Sequence, residues 1–211
     1  MILEGIVTTV SPAGRVNIAP MGPRLLDDPY AEPRRFMLRP YRTAHTCVNL
    51  LAHGEGVLHV TDDVLLLAKA AVGEPEPPPL LRPAEHVRGW VLADACRWYE
   101  FRITSCDDRA ERTELEAEVV HTARGRDFFG LNRAMYAVVE AAILATRAAF
   151  LSMDEVQAEY RKLAVLIEKT GGPREREAFA FLQHTISREG IGVNSRGREP
   201  LEGRAPNRGP T

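Results

Sequence analysis

YEFRITSCDDRAERTELEAEV, residues 99–119, is the stretch on which the fold turns. Tyr99, Phe101 and Ile103 alternate with Glu100, Arg102 and Thr104; after a charged turn at 107–111, Thr113, Leu115, Ala117 and Val119 alternate with Glu114, Glu116 and Glu118. A period of two sends successive side chains to opposite faces of a strand, so the stretch predicts an antiparallel hairpin with one wet face. Residues 87–93 are expected to pair nearby. Further out, 3–10 and 15–19 form a hairpin about Ser11-Pro12-Ala13-Gly14, and 34–39 and 55–61 read as strands. The count reaches six or seven mostly antiparallel strands, and closure into a small barrel would remove the exposed edges.

Breakers and caps divide the remainder. Pro20 cannot donate to a ladder, so strand pairing is expected to stop at Ala19-Pro20-Met21-Gly22 and leave backbone open beside the sheet. Residues 23–33 read as loop. A short helix follows Thr43 and ends at His53-Gly54, and Asp62 or Asp63 caps a second over 64–72. The proline-dense GEPEPPPLLRP at 73–83 is an extended connector.

From Leu131 the period becomes 3.6. Leu131, Met135, Val138, Val139, Ala142, Ile143 and Phe150 are expected on one face of a helix, opposite Arg133, Glu140 and Arg147. Ser152-Met153-Asp154-Glu155 is a capping box for the next helix, with Val156, Tyr160, Leu163 and Ile167 inward and Gly171 at its end. Gly172-Pro173 opens a third, carrying Phe179, Leu182 and Ile186. Beyond Glu189 there is little to bury, and the tail 190–211 is expected to be disordered.

Composition narrows the function classes. The chain has 211 residues, 45% hydrophobic, and a net charge of -2, which gives no broad electrostatic reason to bind nucleic acid or an anionic membrane. No basic leader or membrane-length apolar run is visible, so a cytoplasmic location is expected. Cys47, Cys96 and Cys106 form no C-x-x-C pair and read as small core or half-buried thiols in a reducing compartment. His45 with Cys47 and His53 with His59 are the nearest approaches to metal spacing, and no metal site is expected.

A local anion site remains open to such a chain. In FMLRPYRTAHTCVN, residues 36–49, a strand runs through a tight turn into a helix, with Arg39, Tyr41, Arg42, Thr43, Thr46 and Asn49 close together. The first N–H groups of a helix have no intrahelical partner and carry the positive end of its dipole, so a phosphate would suit this turn. Guanidinium groups would add charge-assisted bonds. The plainer alternative has Thr43 capping the helix and both arginines in solvent.

Four motifs together carry a family resemblance: EGIVTT with N-I-A-P-M-G at the N-terminus, Arg-Thr…Asn-Leu after the third strand, H-V-T-D-D at 59–63, and R-D-F-F-G-L-N-R-A-M-Y-A-V-V-E-A-A-I at 126–143. They resemble an uncharacterised branch of the flavin-reductase-like, FMN-binding split-barrel superfamily, similar to proteins of archaea and of bacteria using methanopterin-linked one-carbon chemistry. The resemblance covers roughly residues 1–150. It implies a six-stranded antiparallel split barrel over 1–126, a helical appendage over 127–189 packed on the barrel or a dimer partner, and a homodimer with FMN at its interface. Carried over residue by residue, the phosphate turn falls on Arg39, Tyr41, Arg42, Thr43 and Thr46. The segment flanking the flavin ring falls on Asn17, Ala19, Pro20, Met21 and Gly22. Better-known flavin reductases often have Lys-Asp-Thr where this chain has Tyr41-Arg42-Thr43.

The implied activity is a flavin-dependent oxidoreductase passing electrons from NAD(P)H to a small planar substrate, with no obligatory side-chain acid or base. Deazaflavin would suit the same turn. Two other classes stay open: a non-catalytic flavin-binding module, and a dimeric interaction or assembly factor. His45, His59 and His121 are candidate proton relays or hydrogen-bonded structural histidines. Arg126, Asn132 and Arg133, at the entrance to the long helix, face a substrate or partner or form structural ion pairs.

Overall fold

The 99–119 hairpin lies inside a seven-stranded antiparallel sheet. The computed structural model describes residues 1–28 and 30–195, and their side chains except at 149 and 189–195. Its elements are β1 (Gly5–Val10), β2 (Val16–Met21), β3 (Arg24–Leu25), β4 (Arg35–Leu38), α1 (His45–His53), β5 (Glu55–Val60) and α2 (Val64–Val72). They continue with β6 (Leu81–Pro83), β7 (Trp90–Leu92), β8 (Arg97–Asp107), β9 (Glu114–Arg124), α3 (Arg133–Thr146), α4 (Met153–Thr170) and α5 (Pro173–Ser195). The large sheet has the order β2-β1-β5-β8-β9-β4-β3, and β6 and β7 pair separately.

The sheet curls on itself. The Leu3 N–H donates to the Pro23 carbonyl (3.0 Å) and the Leu25 N–H to the Met1 carbonyl (2.9 Å), so the chain just before β1 is zipped to β3 at the far end of the sheet. Inside the curl lie Val7, Phe36, Leu38, Leu58, Phe101 and Leu115, with Leu50 of α1 plugging one end. Phe36 and Phe101 meet edge to face at 5.2 Å. Burial of each such side chain stabilises by about 1.5–3 kcal/mol before its entropy cost.

β1 is buried on both faces: Val7 points inward, while Ile6 joins a second core with Leu92, Ala95 and helices α2 to α5. The helical part thus packs on the chain's own barrel, chiefly through α2. A third cluster, Val57, Val87, Val91 and Trp98, lies under the β6–β7 ribbon, and the Arg82 guanidinium stacks 4.1 Å above the Trp98 ring.

Several expectations change. The sheet has seven strands where six are implied; β3, two residues long within the expected loop, is too short for any alternation to reveal. Pairing does not stop at Pro20, which sits opposite Ile6, with Met21 opposite Gly5. β2 ends the sheet, so a proline there loses no ladder bond on its outer side. Residues 90–92 pair with β6 instead of the central hairpin. Cys106 is exposed.

The inner face of α3 also differs. Leu131 and Phe150 are 87% and 85% exposed, and the buried stripe is Ala134, Ala137, Val138, Ala141, Ala142 and Ala145. Small side chains let neighbouring helices approach closely, which outweighs the larger hydrophobes at the ends. The capping box of α4 forms as expected, and Tyr160 donates its hydroxyl to the Ala141 carbonyl (2.7 Å). α5 runs on to Ser195, past the expected end at 189, and 196–211 of the expected tail lie outside the described residues. Among the described residues no helix is long and apolar enough to cross a membrane.

Candidate functional site

β4 leaves the sheet at Leu38 and the chain turns into α1, so residues 39–44 stand at the rim of the barrel. This turn is lashed to the β8–β9 turn: the Arg42 N–H donates to the Glu111 carbonyl (3.3 Å) and the Thr113 N–H to the Pro40 carbonyl (3.0 Å). Arg39 pairs with Glu114 (3.1 Å), which occupies its charge. The Arg112 guanidinium lies 4.0 Å over the Tyr41 ring and donates to the Arg39 carbonyl (3.2 Å). Arg42 and Thr43 are exposed, and among the described residues Arg42 enters no ion pair.

Thr43 does not cap the helix. The position before α1 is Ala44, in extended conformation, with no side-chain cap, and the first turn has no acidic residue. The amide groups of that turn therefore present a positive end without a protein acceptor at the cap. At the other end Gly54, at φ 68, closes the helix in the left-handed conformation that glycine adopts without strain.

One hydrogen bond joins the two segments singled out in the sequence. The Asn17 side-chain amide of β2 donates to the Thr46 hydroxyl of α1 (3.0 Å), and Thr46 is only 3% exposed. The hydroxyl keeps its own proton to donate onward. Beside this bond runs a cleft of about 670 Å³ with Asn17, Ile18 and Ala19 on one wall, His45 and Val48 on another, and the connector 73–79 opposite. Lys69 of α2 holds the connector by donating to the Glu76 carbonyl (2.9 Å). The volume falls within the roughly 300–1,000 Å³ typical of ligand sites.

Not every expected residue reaches the cleft. Asn17 and Ala19 line it, together with Asn49; Thr46, 3% exposed, is not among its walls and is tied to it through Asn17, and Arg42 stands just before the same helix end. Met21 packs against the barrel core. Gly22 lies at the seam, where an added Cβ would stand 2.8 Å from Ile2, and Pro20 is not among the cleft's walls. Arg112 is the basic residue that sequence reading missed; it is seventy positions from Arg42, and only the pairing of β4 with β9 brings the two turns together.

The H-V-T-D-D and R-D-F-F-G motifs also meet, in a structural constellation. The Asp62 carboxylate accepts two bonds from the Arg126 guanidinium and one from the Phe129 N–H (2.8 Å), while Arg126 also reaches Asp94 (3.1 Å). Its neighbour Asp63 caps α2 by accepting from the Leu66 N–H (3.0 Å). Asn132 caps α3 and donates to the Thr170 carbonyl (3.2 Å). The Arg126 hydrogen bonds hold the Asp62 carboxyl down at about 2, despite partial burial. Asp62→Ala is expected to cost about 2–4 kcal/mol in a urea titration at neutral pH. Since the folded-state value is the lower one, that contribution is present above pH about 4 and fades as pH falls through about 2.

His59 is structural. It is fully buried, accepts the Leu92 N–H at Nε2 (3.1 Å), and so donates from Nδ1 to the Ile6 carbonyl (3.0 Å). Burial pushes its pKa down to about 4, and the ring is neutral with one fixed tautomer.

A sheet curled through an N-terminal seam, plugged by a short helix and flanked by a helical layer, defines a class of antiparallel barrel with a helical appendage. Within that class the chain belongs to the DUF447 family of proteins of unknown function: residues 3–126 match the family's N-terminal domain and 132–184 its second part. The structure is similar to an FMN-bound DUF447 protein of Methanosarcina mazei, with TM-score 0.75 at 21% identity over 87% of this chain and 94% of that one. It also matches the 2-nitrobenzoate 2-nitroreductase NbaA of Pseudomonas fluorescens (TM-score 0.49, 18% identity, 57% of this chain, 64% of that one). A third match is the styrene monooxygenase flavin reductase of Pseudomonas putida S12 (TM-score 0.47, 16% identity, 57% and 77%).

Proposed function

We propose that this protein is an FMN-binding oxidoreductase, with the phosphate at the N-terminus of α1 and the ring in the cleft beside β2. The observation that carries the reading is the Asn17–Thr46 hydrogen bond, which ties the outer edge of the sheet to an uncapped helix terminus beside Arg42, an arginine with no ion pair among the described residues. The donor set suits a phosphate monoester: amides of the first turn of α1, the Thr46 hydroxyl and the Arg42 guanidinium. Arg39 contributes less, being committed to Glu114. The FMN held by the Methanosarcina mazei relative supports the same cofactor here.

A flavin bound there would supply the redox chemistry for moving electrons from a reduced nicotinamide to a small planar substrate. The chain binds and orients: the outer edge of β2, unpaired within the sheet, offers backbone groups to a planar ring, and Ile18 and Val48 keep water from one side. Residues 1–126 form the flavin-binding barrel in this reading, and 127–189 brace it through α2. Tyr41, Val48 and Leu51 expose apolar surface near the cleft, which a second copy of the chain would cover to form a homodimer.

The test is an absorbance spectrum of the purified protein with mass spectrometry of any ligand released by heat. FMN near one per chain supports the reading; a colourless protein that fails to bind added FMN or deazaflavin overturns it. Arg42→Ala is expected to weaken FMN binding by about 1.5–3 kcal/mol, roughly tenfold to 150-fold in Kd, by fluorescence titration. Unchanged affinity would move the phosphate elsewhere.

A further inference from the structure

Away from the cleft, Glu85, His86 and His121 gather over the outer face of β8 and β9. One ligating atom from each lies within 4.8 Å of the others. The His121 Nε2 is 3.9 Å from the Glu85 carboxylate, and the His86 and His121 rings stack with centroids 4.3 Å apart. None of the three lines the cleft beside β2.

Two features mark this group as built for a purpose. First, the His121 Nε2 is buried and has no hydrogen-bond partner among the described residues. Such an atom is costly to strand, and it faces the Glu85 carboxylate from a ring that is mostly covered. Second, the loop bearing Glu85 and His86 is held in place by a separate buried group. The Glu100 carboxylate, fully buried, accepts the N–H groups of Glu85 (2.9 Å), His86 (2.6 Å) and Val87 (3.1 Å). Glu100 stands opposite His121, and the register then slips so that Phe101 faces Val119. Opposed residues emerge on one face of a sheet, so the bulge at Val120 sets His121 beside the loop that Glu100 anchors.

We propose that Glu85, His86 and His121 form a binding site for one divalent first-row transition metal ion, with Glu100 positioning the loop that carries two of the ligands. Two imidazoles and a carboxylate suit Zn2+ and its neighbours, leaving a fourth position for water. Ligand atoms around such an ion sit about 3.4 Å apart, so the cluster closes by about half an ångström on the Glu85–His121 side. Because stacked rings aim their lone pairs side by side, the exposed His86 ring turns out of the stack to coordinate. Glu85 and Glu100 bring carboxylates to the cluster, and the neighbouring Arg102 is drawn off by Glu55 (2.9 Å) and by the His86 carbonyl (2.8 Å). The ion would clasp the 84–89 loop to the barrel, whatever fills the cleft.

The experiment is a titration of the chelator-treated full chain with Zn2+ by calorimetry, repeated with Co2+ to read its visible d–d bands. One ion per chain is expected, with a rise in melting temperature. His86→Ala and Glu85→Gln, both at exposed positions, should each weaken Zn2+ binding about tenfold or more, and the His86→Ala/His121→Ala double variant should abolish it. His184→Ala, on an exposed position of α5, should leave it unchanged. Circular dichroism of His86→Ala checks that the fold is intact. Absence of a stoichiometric site, or Zn2+ binding indifferent to His86→Ala and His121→Ala, overturns the proposal.

Discussion

Replacing Glu100 with alanine is expected to lower the free energy of unfolding by roughly 3–5 kcal/mol. Its fully buried carboxylate accepts three consecutive backbone N–H groups, from residues 85 to 87, and truncation strands all three in a closed space. Glu100→Gln keeps the shape and one acceptor oxygen, but turns an amide NH2 toward groups that only donate, so an intermediate loss is expected. Urea titrations with chelator present read the effect as a shift in midpoint at constant slope. A midpoint within experimental error of wild type would mean that the loop is held by something other than this carboxylate.

The second large effect belongs to His59. His59→Ala leaves the Leu92 N–H and the Ile6 carbonyl without partners and opens a cavity between β1, β5 and β7, for an expected loss of about 3–4 kcal/mol. The wild-type residue also imposes a pH dependence. Its folded-state pKa is about 4, while an unfolded imidazole titrates near 6.5, so the unfolded chain takes up the proton first. Stability from this residue is complete above pH about 6.5 and declines as pH falls toward 4, by ~3 kcal/mol in all. Comparing urea midpoints at pH 7.5 and 4.5 for wild type and His59→Phe isolates it, because the Asp62 contribution fades only in more acid solution. Equal pH slopes in the two proteins would refute the assignment.

The period-two alternation of 99–119 was enough to find the β8–β9 hairpin, because one face of each strand is buried along much of its length. The same rule misread Glu100, since alternation says which face a residue occupies and not what covers that face. Here the β6–β7 ribbon and its loop cover it, and nothing local in 80–93 announces that docking. In the candidate site, Arg42 and Thr46 stand in a turn that its strand-to-helix signature picks out, whereas Asn17 is reached only through the family resemblance. Arg112, and the meeting of His121 with residues 85 and 86, depend on strand pairing across long separations. The motif residues Asp62 and Arg126 stood out in sequence, yet their contact serves the join between barrel and helices more directly than it serves the cleft.

The chain's two tryptophans, Trp90 and Trp98, both lie where the β6–β7 ribbon meets the barrel, and Trp98 is buried beneath Arg82. The helical layer around Tyr160 contains none. Intrinsic tryptophan fluorescence is therefore a reporter of the ribbon and barrel alone, blind to a detachment of α3, α4 and α5, whereas far-ultraviolet circular dichroism is dominated by those helices. Coincident transitions by the two signals would mark barrel and helices as one cooperative unit joined through α2, and separated transitions would date the loss of each.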